Sequence, residues 1–242
     1  MWYLSILFLT VIIFGSFVFF IKINNKSLKI LLTFSGAFLI GIVFMVLSPE
    51  IFSSSLPYVG IFVMIGFLIQ LFLELITGGA EHGHEHEHEH HDDEKVSPFL
   101  LLIGICIHAF LEGIPLMSEF SKNIQPTLVL GLVIHKIPIS IVLMGLFLHY
   151  GLSKWKSMMY LSILALMTPI GAIIGKFVVE KFVVIDSMET VFTYTMAIVM
   201  GIFLHVSTTI LFESNENHKY NLKKFSIIII GLLTAFGISF LH

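Results

Sequence analysis

The sequence contains no arginine, one cysteine and little charge of either sign. Each shortage removes a class of protein. Thirteen lysines against sixteen acidic residues leave a net charge of −3, so no basic surface is available to hold a nucleic-acid backbone. Cys106 alone permits neither an intramolecular disulfide nor a cysteine-rich metal cluster. Charged residues make up 12% of the chain, where an ordinary water-soluble domain carries about a quarter. The phosphate-cradling loop G-x-x-x-x-G-K-[ST] is also missing, which removes ATP hydrolysis as a source of work.

What is present is hydrophobic: 57% of the 242 residues, with a mean hydropathy of +0.98. Runs long enough to cross a bilayer, about 20 apolar residues, recur near 1–21, 30–49, 56–77, 98–118, 127–149, 157–179, 190–212 and 225–241. The expected fold is all-α, a polytopic membrane protein with eight transmembrane helices. Residues 1–80 would carry helices 1 to 3, residues 81–97 a loop, and residues 98–242 helices 4 to 8. No basic residue precedes the first run and no small-x-small site follows it, so it reads as a retained helix and not a cleaved signal.

Lysines set the expected orientation, because short cytosolic loops carry the excess of positive charge. Lys22, Lys26, Lys29, Lys95, Lys154, Lys156, Lys219, Lys223 and Lys224 fall in one set of alternate loops; Lys122, Lys176 and Lys181 fall in the other. The bias of nine to three puts both termini outside the cytosol and the 78–97 loop inside it. The host is the plasma membrane or an organelle membrane.

That loop contains "EHGHEHEHEHHDDE", residues 81–94, with six histidines and seven carboxylates. Such a tract cannot bury a core and is expected to be disordered. His82, His84, His86, His88, His90 and His91 suit fluctuating coordination of zinc, copper, nickel or ferrous iron. A solvated linker without a ligand is the alternative.

Ionisable groups at bilayer depth are costly unless they face a cavity or pathway. Within the apolar runs they are Glu74, His108, Glu112, His135, Lys136 and His205. His108 and Glu112 lie four apart and share one helix face. Counted from the cytosolic ends of two antiparallel spans, His108 lies ten residues in, while Glu112 and His135 both lie fourteen in. At about 1.5 Å per residue, the three can meet in one layer near the midplane. Two imidazoles and a carboxylate suit Zn²⁺ or Fe²⁺. Pro115 and Pro138 would kink their helices and release the carbonyls of Leu111 and Ile134 beside that layer. A His–Glu hydrogen bond that merely joins helices is the competing account. Glu50 at the external end of the second span could collect cations. His205 could line an exit path or pack helices, and Glu74 and His149 face the cytosolic boundary.

"HAFLEGIPLM" at 108–117, followed by "HKIPIS" at 135–140, resembles the paired fourth and fifth transmembrane motifs of the ZIP (Zrt-, Irt-like) metal transporters. "FSGAFLIGIVFMVLSPE", "MTPIGAIIG" and "MGIFLHVSTTILFE" resemble the second, sixth and seventh spans of that family. The resemblance implies a ZIP-like helix bundle in which His108, Glu112 and His135 are the transport ligands. It also implies alternating exposure of the site by movement of one helix group against another. Two-metal members carry a polar residue and an acidic residue where this chain has Ala109 and Lys136, so a single-metal site is expected. Ile139 stands where many members place another ligand, leaving Ser140, water or another helix to substitute. Thr168 replaces a glutamate used by some members.

The expected function is movement of a divalent transition metal into the cytosol. Zinc is the first candidate; iron, manganese and cadmium are the others. The metal is cargo and no cofactor is expected. The lipid bilayer is the surrounding partner, and a homodimer is an open alternative for the assembly. A metal sensor that reads zinc through the histidine tract is a second reading. An intramembrane metallohydrolase is a third, weakened because the spans offer His-x-x-x-Glu where His-Glu-x-x-His is needed.

Overall fold

The computed structural model describes residues 2–21, 24–77, 97–117, 124–182, 187–213 and 222–241. The histidine-rich tract at 81–94, with His82, His84, His86, His88, His90 and His91, lies outside them. Among the described residues every element is helical. The helices are α1 (Trp2–Ser16), α2 (Asn25–Ile42), α3 (Ser48–Phe52), α4 (Val59–Thr77), α5 (Pro98–Gly113), α6 (Gln125–His149), α7 (Lys154–Phe182), α8 (Met188–Glu213) and α9 (Leu222–Ile238). A π-helical turn, Val43–Leu47, joins α2 to α3 into one apolar segment.

Among the described residues seven segments are long and apolar enough to cross a membrane, and the chain is a multi-pass membrane protein. The eighth expected span is α9, which has 17 residues. Its first turn is occupied by Lys223 and Lys224, which leaves a shorter apolar stretch than in the others.

Local chemistry fixes where the helices start and break. The Asn24 side chain accepts from the Ser27 amide at 2.7 Å and caps α2. Ser97 accepts from the Phe99 amide at the start of α5, where Pro98 supplies a preset φ at a position needing no N–H. Pro49 follows the π-helical turn, and Pro138 and Pro169 sit inside α6 and α7, each removing one backbone donor. Pro115 acts differently from the expected kink. After Gly113 the chain tightens into a 3-10 turn, Ile114–Met117, and the Ile114 amide donates to the Leu111 carbonyl. That carbonyl is therefore not free.

The helices pack as two groups. In one, α7 packs on α1, α5 and α6, and α1 also packs on α6; in the other, α8 packs on α2 and α4, and α9 on α2; α2–α6 and α4–α5 contacts join the groups. Close approach inside each group depends on glycine. A Cβ on Gly66 or Gly201 would strike the backbone of the facing helix in the α4–α8 pair, as would one on Gly113 or Gly171 between α5 and α7. Small residues let backbones touch where lipid supplies no hydrophobic drive for association. The boundary between the groups is where the polar side chains collect.

Candidate metal centre

His108 and Glu112 project from successive turns of α5, and His135 from α6 beside them. All three are buried; Glu112 is 1% exposed and His135 0%. One potential ligand atom from each lies within 4.8 Å of the others. Glu112 Oε1 is the centre of the group, 2.8 Å from His108 Nε2 and 3.8 Å from His135 Nε2. His135 Nε2 has no hydrogen-bond partner among the described residues. Buried polar atoms are normally paired, so an unpaired imidazole nitrogen aimed at a carboxylate oxygen suits a cation between them. Zinc takes nitrogen ligands at roughly 2.0–2.1 Å and carboxylate oxygen at roughly 2.0–2.2 Å, and modest side-chain movement would bring these atoms to such distances.

The second oxygen of Glu112 is committed elsewhere. Lys136, next to His135 on α6, places Nζ 2.7 Å from Glu112 Oε2. Sequence reasoning treats Lys136 as a repelling charge; its direct ion pair with the carboxylate is visible only in three dimensions. The pair is buried, and its attraction works against the cost of removing both charges from water. Glu112 is thus a shared group, one oxygen on the ammonium and one facing the histidines.

The far sides of both rings are also held. His108 Nδ1 lies 2.8 Å from Gln70 Oε1 on α4, and His135 Nδ1 lies 3.5 Å from Ser35 Oγ on α2. Gln70 escapes a search confined to ionisable residues, although a lone glutamine one turn before Glu74 in an apolar run is a readable signal. Neither Ile139 nor Ser140 joins the centre. Ile139 packs in an apolar cluster, and Ser140 donates to the Ile137 carbonyl of its own helix. Thr168 donates to the Ala109 carbonyl at 2.9 Å and ties α7 to α5 beside the layer.

The remaining candidates are not in this cluster. His205 Nδ1 on α8 lies 3.3 Å from Glu74 Oε2 on α4, at the end of α4 leading toward the histidine tract. Phe67 meets the His205 ring edge-on with centroids 4.7 Å apart. Glu50, in the first turn of α3, lines a cavity of about 180 Å³ together with Ser53, Ser54, Glu189 and Thr193. Glu189 was not singled out in the sequence, because nothing along the chain links it to Glu50. His149 is the last residue of α6 and stands beside Tyr150.

A bundle of membrane-crossing helices with a buried His/Glu/His set at the junction of two helix groups defines the class of a membrane metal-ion carrier. The family model of the ZIP zinc transporters matches residues 77–239, more than half of the chain, and the chain belongs to that family. Metal transport across a membrane is therefore its function at the level of the family. No curated protein matches the chain significantly. The matched stretch includes His108, Glu112, His135 and His205; Ser35, Glu50, Gln70 and Glu74 precede it.

Proposed function

We propose that the chain carries divalent transition metal, zinc first, into the cytosol through a single-ion site formed by His108, Glu112 and His135. The observation that carries this reading is the convergence of three buried ligand atoms within 4.8 Å at the boundary between two helix groups. An ion there exchanges its water for two imidazoles and one carboxylate oxygen, and a tetrahedral zinc would take one further ligand. Three protein ligands and an open position suit a site that must let go of its ion. Iron, manganese and cadmium are the alternative cargoes for such nitrogen and oxygen donors.

Lys136 supports a single ion and weak retention. Its ammonium neutralises one oxygen of Glu112 and repels a second cation beside it. Glu50 and Glu189 would draw cations to an external cavity. Glu74 and His205 would offer the next ligands toward the cytosol. The histidine tract at 81–94, between the helices of residues 1–80 and those of 98–242, would gather metal on the cytosolic face. The lysine bias supports that orientation, with both termini extracytosolic.

Purified protein in liposomes should move zinc without ATP. In a competition of zinc, iron, manganese and cadmium, zinc should suppress the uptake of the others most strongly. Repeating the assay with and without a pH gradient reports proton coupling. Absence of flux for all four metals would overturn the proposal. The sensor reading separates from it by deletion of residues 81–94, since a transporter keeps basal flux and a sensor loses its function.

A further inference from the structure

Gln70 is fully buried in an apolar stretch of α4, where an amide is costly unless it is paired. Its Oε1 lies 2.8 Å from His108 Nδ1, while the Nε2 of the same ring lies 2.8 Å from Glu112 Oε1. The imidazole thus has a polar oxygen beside each nitrogen, one from α4 and one from its own α5. We propose that Gln70 is a positioning residue for transport: it holds His108 with Nε2 turned to the ion and pairs with Nδ1 in both the loaded and the empty site. This rests on the reading of His108 as a transport ligand.

The chemistry follows from the neutral imidazole, which has one N–H donor and one acceptor. When Nε2 gives its lone pair to an ion, the ring proton sits on Nδ1 and donates to Gln70 Oε1. When the ion leaves, Nε2–H can donate to Glu112 Oε1, and Nδ1 becomes an acceptor. A carboxamide turned over presents its N–H to that acceptor, so Gln70 can pair with Nδ1 in either tautomer. A carboxylate at position 70 would pair only with the ligating tautomer, and a hydrocarbon with neither. Ser35 gives the same pattern at the second histidine. A hydroxyl, likewise donor and acceptor, lies 3.5 Å from His135 Nδ1 and comes from α2, in the same helix group as α4. Partners on the far nitrogen of a ligating histidine commonly change metal affinity or activity by about 10–100-fold.

Zinc uptake by the full-length protein in liposomes tests this through separate KM and maximal-rate measurements on Gln70→Met and Gln70→Glu. Met keeps the length and suits an apolar helix, so a merely structural role predicts that Met is tolerated and Glu is damaging. Positioning predicts the reverse order for KM: Gln70→Met raises it by about tenfold or more, while Gln70→Glu leaves it unchanged or lowered and slows the maximal rate. A wild-type KM for Gln70→Met overturns the proposal, as does a KM for Gln70→Glu raised as far as that of Met. Should the Met protein fail to fold, the Glu variant decides alone: a raised KM or an unchanged maximal rate overturns the proposal. His108→Ala serves as the reference. If it transports like the wild type, the transport site itself is wrong; if it is inactive while Gln70→Met is normal, only the positioning role fails.

Discussion

Replacing Glu112 by glutamine removes one charge of a buried pair and leaves the other. Lys136 Nζ is 2.7 Å from Glu112 Oε2, and the two residues are 7% and 1% exposed. Little water can replace the lost carboxylate. Breaking such a pair from one side costs about 3–5 kcal/mol. At roughly 2–4 °C per kcal/mol for a chain of this size, Glu112→Gln should melt about 6–20 °C below the wild type. The double substitution Glu112→Gln with Lys136→Met removes the stranded ammonium and should recover most of that loss. It should not recover transport, since the carboxylate facing the histidines is still gone. Thermal unfolding of detergent-purified protein, with zinc uptake measured on the same preparations, reads both quantities. An unchanged melting temperature for Glu112→Gln, or a double variant that transports normally, would refute this account of Glu112 as both ion-pair partner and ligand.

Three further outcomes are expected. Gly201→Val places a side chain against the backbone of Val63 and Phe67; overpacking of this kind costs about 1–3 kcal/mol, and size-exclusion chromatography should show less monodisperse protein with a lower melting temperature. His205→Ala and Glu74→Gln should lower the maximal rate of zinc uptake more than they change KM, because the pair lies beyond the central layer. Deletion of residues 81–94 should leave basal flux but remove zinc binding by the tract. In the intact protein that binding is present at neutral pH and lost as pH falls through the ordinary imidazole pKa of about 6.5, because protons then compete for the ligand nitrogens; calorimetric titration across pH checks the loss.

The helices were legible because each apolar run nears the length of a bilayer crossing. Their ends differ from the apolar runs where other chemistry intervenes. Within 98–118 the α-helix stops at Gly113 before the 3-10 turn at Pro115, and α9 takes in Lys223 and Lys224 ahead of the 225–241 run and stops at Ile238. The common depth of His108, Glu112 and His135 was also readable, since a regular rise per residue on antiparallel helices turns sequence offsets into heights. Their ligand atoms lie within 4.8 Å of one another. Rotation about each helix axis is not contained in such counting. It is rotation that turns Lys136 onto Glu112 and Ile139 into an apolar cluster. Gln70 stands out as a lone amide in an apolar run, but it and Ser35 belong to helices whose placement depends on glycine contacts far along the chain, so which histidine each approaches is not written locally.

The most direct measurement is zinc uptake into liposomes by His108→Ala, Glu112→Ala and His135→Ala, each compared with wild-type protein at equal incorporation. A transport site made by these three residues predicts a strong loss of uptake in every variant. Wild-type uptake in all three would contradict it.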